Sequence, residues 1–401
     1  MSTNGQRRIL IAGGGIGGLT LALALLRRGF DVALYEQAPE LKEVGAGLQI
    51  STNGMLVLAA LGIGDRVMAL AARPLRRNVR LWNTGQTWTS DLGPSTVARY
   101  GHPHVTMYRP DLLGVLADAV REVAPAAINL GRQVVACEQD DARVTLRFAD
   151  GGRATGDVLI GADGIHSVVR DALHGIQETT FTGLAVWRGV IPAECLPESM
   201  AASTIVAGWM GPGGHVVQYP LRRGELINFG GVVERREWHS ESWMTPGSQA
   251  EMRAAFAGWH GDIQTLVDQI EHPLLQALKL RRPLPQWSCG RMTLLGDACH
   301  PTLPFLAQGA VMAMEDGLVL ARALVAYAPD VAAALRAYEA ARKARTTRII
   351  EGSAANTHRF HNAVLADPTR AQAYVEREIV GPRDRDAFDW IYGYDASTVA
   401  V

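Results

Sequence analysis

A strand–turn–helix–strand order near the N-terminus constrains the fold of this chain more than any other feature. The apolar run Arg8–Ala12 predicts a buried strand, and the helical run LTLALALLRRG follows it after the glycine-rich turn GGGIGG. A second predicted strand, Asp31–Tyr35, ends on Glu36. This order of strand, Gly-x-Gly-x-x-Gly turn, helix, strand and acidic residue is typical of a βαβ unit that binds an adenine dinucleotide.

Each glycine of the turn has a distinct role in such a unit. Gly13 permits the tight turn, Gly15 lets a pyrophosphate approach the backbone, and Gly18 lets the helix pack closely on the strand. Glu36, eighteen residues after Gly18, is placed to accept hydrogen bonds from the adenosine ribose. The sequence holds one such turn, so a second dinucleotide would have to visit a shared cleft.

A second strand-to-helix unit lies late in the chain, between Leu294 and Gly317. Asp297 follows its apolar strand, where a carboxylate can accept hydrogen bonds from sugar hydroxyls. The helix predicted to begin at Gly309–Ala310 directs backbone N–H groups, and about half a positive charge, at whatever lies before it. These features suit a cofactor with a polyol chain and a ring that becomes anionic on reduction. An ordinary βα unit with an Asp at its turn would explain this stretch alone equally well.

Two further segments could contact such a cofactor. The glycine-rich return Lys42–Gln49, which contains Ala46 and Gly47, suits a place where the backbone passes close to a flat ring. Arg109 stands where a predicted strand breaks into a helix, within reach of a phosphate or a sugar chain. A plain surface loop and a surface ion pair are the alternatives for these two segments.

Composition argues against several classes of partner and site. With 39 Lys and Arg against 40 Asp and Glu, the net charge of −1 gives no reason to expect nucleic acid or an acidic membrane as a partner. The apolar run Leu19–Leu26 is too short to span a membrane, and MSTNGQRR lacks the apolar segment of a signal peptide. The four cysteines form no CxxC pair, so we expect neither a metal site nor a disulfide framework. We therefore expect a cytoplasmic protein.

The middle of the chain, from Leu184 to Glu234, predicts four antiparallel strands joined by Gly, Pro and Arg-Gly turns. We expect them to form a sheet domain for the substrate, inserted into a Rossmann-type α/β domain. A helix is predicted from Val331 to Arg345, followed by a looser helical tail. The predicted dinucleotide-binding domain comprises residues 1–75, 100–180 and 281–345. The inserted domain comprises residues 76–99 and 181–280, and residues 346–401 form a C-terminal helical segment.

Three motifs, taken in order, resemble those of a known family. The βαβ unit with Glu36 is followed by GADGIHSVVR, which contains Asp163, and then by GDACHP, which contains Asp297. In that order they resemble the single-component (group A) FAD-dependent aromatic hydroxylases, which have the p-hydroxybenzoate hydroxylase fold. The resemblance covers nearly the whole chain and implies that the dinucleotide is FAD. It also implies that Asp163 takes part in FAD and NAD(P)H binding, that Asp297 holds the ribityl chain, and that Arg109 contacts FAD.

The resemblance implies a reaction as well. NAD(P)H, with NADH favoured, would reduce the flavin, and reduced flavin would react with O₂ to give a C4a-hydroperoxide that hydroxylates an aromatic ring. The substrate would be a phenolic or hydroxypyridine carboxylic acid, with or without loss of its carboxylate, and the enzyme a monomer or homodimer. Two alternatives stay open at this point: a flavin reductase or oxidase of the same fold that inserts no oxygen, and a dinucleotide-sensing protein without turnover.

His215 and Tyr219 are the candidates for activating the substrate. A phenol with a pKa near ~10 needs a positioned base at neutral pH, and an imidazole has a pKa near ~6.5. Both residues lie on the predicted strand GHVVQYPL, where even spacing puts them on one face, roughly 13 Å apart at ~3.3 Å per residue. A turn histidine and a core tyrosine are the alternative. The resemblance favours the site, because His-x-x-x-Tyr lines the substrate site of family members that hydroxylate 3-hydroxybenzoate and 6-hydroxynicotinate.

Three residues are predicted to face the substrate: Gln49, Pro304 and Phe305. Gln49 agrees with family members that act on 3-hydroxybenzoate, whereas Pro304 stands where those members have Gln. Phe305 stands where members that act on 6-hydroxynicotinate or salicylate have His. These differences leave the identity of the aromatic acid open.

Four other residues of the predicted site have two interpretations each. Arg188 or Arg222 could pair with a substrate carboxylate, and a structural role is the alternative for both. His300 is expected to brace its loop rather than act as a base. Cys299 has no partner base in the motif, so we expect no catalytic thiol.

Overall fold

A computed structural model describes residues 7–41, 46–201, 204–238, 244–381 and 388–401. Of the predicted glycine-rich return, Lys42 to Gly45 lie outside the described residues, whereas Ala46 and Gly47 lie within them. None of the helices in these ranges combines the length and the hydropathy that crossing a bilayer requires.

The strands of the described residues are β1 (Arg8–Ala12), β2 (Asp31–Tyr35), β3 (Gly47–Ile50), β4 (Arg76–Leu81), β5 (Thr87–Asp91), β6 (Val105–Tyr108), β7 (Ile128–Asn129), β8 (Val134–Gln139), β9 (Val144–Phe148), β10 (Arg153–Gly156), β11 (Val158–Gly161), β12 (Thr180–Pro192), β13 (Ile205–Gly211), β14 (Gly214–Leu221), β15 (Leu226–Glu234), β16 (Met244–Pro246), β17 (Leu274–Leu280), β18 (Ser288–Cys289) and β19 (Met292–Leu294). The α-helices are α1 (Ile16–Leu26), α2 (Thr52–Ala60), α3 (Gly64–Leu70), α4 (Pro94–Tyr100), α5 (Arg109–Val123), α6 (Val168–His174), α7 (Glu198–Ala201), α8 (Gln249–Ala255), α9 (Gly261–Asp268), α10 (Gly309–Ala326), α11 (Val331–Phe360), α12 (Ala371–Tyr374) and α13 (Asp389–Tyr392). Short 3₁₀ turns that matter for the site are Gly164–His166, Gly296–Ala298 and Pro304–Leu306.

A six-stranded sheet in the order β18-β19-β11-β1-β2-β7 organises the N-terminal motif. The strands β19, β11, β1 and β2 pair in parallel, so their carboxyl ends meet at one edge, where ligands of such sheets bind. Glu36, Asp163 and Asp297 follow β2, β11 and β19 and therefore come to that same edge. The predicted strand–turn–helix–strand unit is confirmed, and three motifs far apart in sequence are brought together.

The helices α1 and α10 pack against each other at close range, which explains why both are rich in small residues. A Cβ on Gly17 would lie 2.5 Å from Leu295 Cδ2, and one on Gly317 would lie 2.9 Å from the backbone nitrogen of Leu21. Residues from Ile16 to Leu25 are all buried. This close packing fixes the start of α1 relative to the turn that carries Asp297.

An eight-stranded sheet in the order β16-β17-β12-β15-β14-β13-β4-β5 forms the second large layer. Its neighbours are antiparallel except for β13 and β4, and the four strands predicted between Leu184 and Glu234 are confirmed as β12 to β15. One face packs on α8 and α9 through a core that includes Trp187, Phe229 and Phe256. The strands β4 and β5 join this sheet from earlier in the chain. The division of the chain into domains stays a prediction.

The helix α11 is longer than predicted. It continues from Val331 through Arg345 to Phe360 and so crosses the boundary predicted at residue 345. Its second half buries polar side chains: Ser353 Oγ donates to the Leu303 carbonyl at 2.6 Å, and Asn356 Nδ2 donates to the Phe305 carbonyl at 3.3 Å. The prediction was wrong because a buried face made of polar residues gives no hydrophobic period.

Candidate active site

The glycine-rich turn brings three backbone segments into contact and leaves open space at its centre. Gly13 has a φ of +106°, and a Cβ there would lie 2.3 Å from the Ala162 carbonyl oxygen. A Cβ on Gly18 would lie 2.1 Å from the Gly13 carbonyl oxygen. Gly15, which precedes α1, would place a Cβ with nothing within 4 Å. The turn is therefore packed where glycine permits the fold and open where a ligand would approach.

Two of the three acids at this edge bind backbone N–H groups. Glu36 accepts from the N–H of Gly14 at 2.7 Å and from that of Ala38 at 2.9 Å. Asp163 Oδ2 accepts from the N–H of Val168 at 2.8 Å, while its Oδ1 is buried and has no partner among the described residues. Burial raises the pKa of Asp163. A hydroxyl or amide of a ligand would satisfy the unpartnered oxygen.

Asp297 lies in the turn Gly296–Ala298, directly before the loop that leads to α10. Its side chain is accessible to water, yet desolvation by the surrounding protein raises its pKa, and the charges of His300 and Arg109 oppose this. Arg109, the first residue of α5, is near enough to act on this carboxyl group. The structure thus brings Arg109 and Asp297 together.

His215 lies within β14 and not in the turn before it, so the alternative of a turn histidine is wrong. The imidazole is buried, with Phe305 edge-on at 4.9 Å and Phe360 at 5.4 Å between ring centroids. Its Nδ1 lies 2.7 Å from Nε2 of His361. Phe305, predicted to face the substrate, is therefore next to the predicted base, whereas Pro304 is exposed.

Tyr219 is buried on the same face of β14 as His215, as the even spacing predicts. A Cβ on Gly47 would lie 2.5 Å from Tyr219 Cε2, and the Gly47 N–H donates to Asn228 Oδ1 at 2.7 Å. Burial raises the pKa of Tyr219, and Arg188 opposes this. The phenol is therefore protonated at neutral pH and is a hydrogen-bond donor rather than a base.

The segment with Ala46 and Gly47 connects the start of α5 with the eight-stranded sheet. The carbonyl of Ala46 accepts from the N–H of Arg109 at 3.0 Å, and Gln49 lies opposite Thr106 in the pair of β3 with β6. Gln49 is half-buried. This short pair places the backbone of Gly47 between Arg109 and Tyr219.

The two candidate arginines have different surroundings. Arg222 donates twice to Asp111, at 2.8 Å each, and its side chain is 43% exposed, so it has a structural role at the surface. Arg188 is half-buried in β12, and its Nε donates to Gln276 Oε1 at 2.7 Å. Burial lowers the pKa of Arg188, and the positive charge of Arg109 lowers it further, whereas the interaction with Tyr219 raises it. Only Arg188 of this pair lies near other predicted site residues.

Comparison with known proteins decides the family. The FAD binding domain family matches residues 6–353. The chain is similar to 3-amino-4-hydroxybenzoate 2-monooxygenase PtnB3 of Streptomyces platensis, with 38% identity over 393 residues, covering 98% of this chain and 97% of that protein. It is also 37% identical over 391 residues, 96% of each protein, to 3-hydroxybenzoate 6-hydroxylase of Polaromonas naphthalenivorans. This chain belongs to the FAD-dependent aromatic monooxygenases.

A solved structure supports the fold and the cofactor. HpxO of Klebsiella pneumoniae, complexed with FAD and uric acid, superposes with a TM-score of 0.81 and 29% identity, covering 93% of this chain and 92% of that one. The predicted fold class and FAD as the cofactor are confirmed. The reductase or oxidase of the same fold is not favoured, because the named relatives are monooxygenases.

The residues of this monooxygenase fit FAD. The space at Gly15 admits a pyrophosphate, Asp163 Oδ1 is buried without a partner among the described residues, and the Asp297 side chain is exposed at the same edge of the sheet. Gly309 and Ala310 form the first turn of α10, whose backbone N–H groups have no partner within the helix. Diphosphate, ribityl chain and the N1–C2=O edge of the ring would each find a complementary group.

One feature of the site was not predicted from the sequence, a buried ion network beneath Asp297. Asp316 binds His300 Nε2 at 2.5 Å and Arg342 Nε at 2.7 Å. Its neighbour Glu315 binds Arg342 at 2.7 Å and Arg345 at 2.8 Å. His300 therefore braces its loop, as predicted. Two adjacent acids inside the apolar run of α10 were the available sequence signal.

The same network reaches the N-terminus of α10. Asn53 Nδ2 donates to Glu315 Oε1 at 2.7 Å and to Gln308 Oε1 at 3.0 Å. Gln308 Nε2 donates to Ser51 Oγ at 2.9 Å. The network thus holds both the turn of Asp297, through His300, and the first turn of α10, through Gln308.

Replacing Gly15 with alanine should weaken FAD binding without unfolding the protein. The added Cβ meets nothing in the protein, but it occupies the space where the pyrophosphate would approach. A steric overlap of roughly 1–3 kcal/mol would weaken FAD binding about tenfold or more. The test is a flavin-fluorescence titration of the apoprotein, with thermal unfolding in parallel. Gly114→Ala in α5, also in open space, is the matched control, and equal FAD affinity of the two variants would contradict the assignment.

Proposed function

We propose that this monooxygenase hydroxylates a phenolic or hydroxypyridine carboxylic acid, with NADH as the reductant. The observation that carries the proposal is the pair on β14: a buried imidazole next to Phe305 and a buried phenol next to Gly47. The relatives named above support it, since one acts on 3-amino-4-hydroxybenzoate and the other on 3-hydroxybenzoate. A cytoplasmic location and a monomeric or homodimeric state stay predictions.

We assign the cofactor contacts as follows, each as part of the proposal. Bound FAD would supply hydride acceptance from NAD(P)H and activation of O₂. The set of residues that would hold it is Gly13, Gly15, Gly18, Glu36, Ala46, Gly47, Arg109, Asp163, Asp297, Gly309 and Ala310. The N-terminus of α10 would stabilise negative charge at the N1–C2=O edge.

His215 and Tyr219 would act on the substrate hydroxyl in different ways. His215 would accept its proton at Nε2. Burial lowers the pKa of the imidazole, which keeps the free ring neutral and able to accept a proton but also makes it a weaker base, so the proton has to be passed on. Tyr219 would donate a hydrogen bond to the oxygen that becomes anionic. Gln49, Pro304 and Phe305 would surround the ring.

Arg188 would bind the substrate carboxylate. It is the half-buried arginine on the face of the eight-stranded sheet that carries Tyr219. Space is open beside it, since a Cβ on Gly230 would meet only the Val217 carbonyl oxygen, at 3.9 Å. A guanidinium presents a planar fork that matches a carboxylate. Gln276 would hold the fork in orientation through the 2.7 Å bond to Nε.

Replacing Arg188 with methionine should raise the KM for an aromatic acid about 10- to 100-fold. This is the loss of affinity expected when a charge-assisted hydrogen bond of roughly 1.5–3 kcal/mol is removed. The KM for the matching phenol without a carboxylate should change little. Steady-state kinetics with both compounds measures this difference. Arg222→Met is the control, since Arg222 pairs with Asp111 at the surface. An equal rise in KM for acid and phenol would remove Arg188 from the carboxylate role.

The substrate itself can be found by measuring NADH oxidation with a panel of hydroxybenzoates, hydroxynicotinates and aminobenzoates. A substrate should accelerate anaerobic reduction of the flavin and be converted to a hydroxylated product in air. If none of the panel accelerates reduction, the proposal fails. A protein that cannot be loaded with FAD would instead favour a binding protein without turnover.

A further inference from the structure

His215 is the inner end of a row of three titratable side chains that reaches the protein surface. Its Nδ1 lies 2.7 Å from Nε2 of His361, and Nδ1 of His361 lies 3.4 Å from Oε1 of Glu234. Both imidazoles are buried, whereas the Glu234 side chain is 58% exposed. The outer contact is not a hydrogen bond, because Nδ1 of His361 has no hydrogen-bond partner among the described residues, so the last transfer needs a small movement of the exposed Glu234 carboxylate or one bridging water. With that step, the row connects the candidate active site with solvent through groups that can each accept and donate a proton.

Three separate elements hold this row in place. His215 lies on β14, Glu234 ends β15, and His361 follows the last residue of α11. The Gly213 N–H donates to the His361 carbonyl at 3.1 Å, and the Gly213 carbonyl accepts from the Glu234 N–H at 3.0 Å. One turn thus fixes both outer members. The extension of α11 beyond Arg345 is what brings His361 to the site.

Aromatic rings close the inner part of the row to water. Phe305 and Phe360 pack edge-on against the His215 imidazole. In the part of the chain that the structure describes, Nε2 of His215 has no hydrogen-bond partner, so this nitrogen is the one left for a substrate hydroxyl. A proton accepted there has the Nδ1 side as its route outward.

The outer end opens onto a cavity of about 270 Å³ whose lining includes Gly213, Glu234 and Trp259. At about 30 Å³ per water molecule, this space can hold several waters next to the carboxylate. The facing groups that carry charge near His361 are Glu234 from β15 and His358 from α11.

We propose that His361 and Glu234 carry to solvent the proton that His215 removes from the substrate hydroxyl. The O–H bond of the substrate breaks and an N–H bond forms at Nε2 of His215. The proton on Nδ1 of His215 moves to Nε2 of His361, and the proton on Nδ1 of His361 moves to Glu234 and then to water. Each imidazole changes tautomer and ends neutral, the substrate becomes an anion, and one proton is released.

The surroundings of both imidazoles agree with this role. Burial lowers the pKa of His215, and His361 adds to it. Burial also lowers the pKa of His361, with Glu234 opposing this. The protonated, charged form of either ring is therefore unfavourable, so a proton accepted by His215 has to be passed on. The relay rests on the proposed function, because it needs a substrate with an ionisable hydroxyl.

The test measures proton release when the FAD-loaded enzyme is mixed with a phenolic substrate and no NADH is present. A pH-indicator dye in weak buffer reports the released proton, and flavin absorbance reports binding. The variant His361→Gln keeps a polar group beside His215 but cannot transfer a proton, so release should slow by about tenfold or more while binding is unchanged. Glu234→Gln should slow release as well. His358→Gln, an exposed histidine on the same helix, should release at the wild-type rate.

Three outcomes would overturn the relay. The first is release of the substrate proton by His361→Gln at the wild-type rate. The second is a slowing in His358→Gln as large as that in His361→Gln. The third is a wild type that binds a phenolic acid without releasing a proton. If His361→Gln does not fold, proton release by the wild type is measured in mixtures of H₂O and D₂O. The dependence of the release rate on the D₂O fraction should indicate that more than one proton is transferred. A dependence that fits a single transferred proton would overturn the relay. A wild type that binds no phenolic acid would instead contradict the proposed function itself.

Discussion

Replacing His215 with asparagine should lower the rate of product formation by about 10²- to 10⁴-fold, the usual contribution of a positioned general base. Asparagine keeps an amide beside His361 but cannot accept a proton at neutral pH. FAD should stay bound and flavin reduction by NADH should continue, because His215 lies on β14 and not among the groups that fit FAD. NADH would then be oxidised with hydrogen peroxide as the main product. Chromatography of the aromatic product, with hydrogen peroxide assayed in parallel, measures how much of the oxidised NADH leads to hydroxylation and how much to peroxide.

The control for this experiment is Tyr219→Phe. Loss of the phenolic hydroxyl removes one hydrogen bond, worth roughly 1–1.5 kcal/mol, so product formation should fall about tenfold. If His215→Asn formed product at the wild-type rate, His215 would not be the base. If both variants lost activity equally together with their FAD, the pair would be structural.

Replacing Asp316 with asparagine should destabilise the fold by about 3–5 kcal/mol, because it leaves the charge of a buried Arg342 without one of its partners. Asp316, Arg342 and His300 are all buried, so water cannot take over the lost interaction. Urea unfolding followed by far-UV circular dichroism measures the free energy of unfolding. The control is Glu122→Gln, which removes an exposed ion pair with Arg66 and should cost less than about 1 kcal/mol.

The effect of Asp316→Asn should depend on pH. Burial acts to raise the pKa of Asp316, but the charges of His300 and Arg342 outweigh it and lower the pKa to about 2. Because this folded value lies below the unfolded value of about 3.9, the stabilisation is complete above about pH 4 and is lost as the pH falls towards 2. The difference between wild type and variant should therefore shrink as the pH falls from about 4 to about 2. A difference that is independent of pH, or smaller than that of Glu122→Gln, would contradict the role of the network.

The network also links stability to function. His300 connects Asp316 to the turn of Asp297, and Asn53 connects Glu315 to Gln308 at the start of α10. Both segments that we propose to face the flavin are therefore held by the same buried charges. Asp316→Asn should weaken FAD binding as well as the fold.

Local sequence patterns predicted well which segments meet at the edge of the six-stranded sheet. The turn between β1 and α1 is defined by positions where only glycine fits, such as Gly13 and Gly18, so spacing alone reveals it. The acids Glu36, Asp163 and Asp297 lie within three residues of the ends of their strands, and parallel strands end at a common edge. These features depend on neighbours in sequence, or on a rule that holds for all parallel sheets.

The substrate half could be predicted only in part. His215 and Tyr219 share a strand, so their common face follows from alternation. His361 lies 146 residues from His215 in sequence, directly after the end of α11, whose second half buries mostly polar residues. The network of Asp316 and Arg342 is likewise a contact between helices. Pairings of this kind depend on how elements pack, and no local period reports them.

The most direct test of the central claim is turnover with isotopically labelled O₂. The FAD-loaded enzyme, NADH and the aromatic acid that most accelerates flavin reduction are incubated under the labelled gas, and the product is analysed by mass spectrometry. A monooxygenase places one labelled oxygen atom in each molecule of hydroxylated product, and this is the result that we predict. NADH oxidation that yields only labelled hydrogen peroxide, with every compound of the panel recovered unchanged, would contradict it.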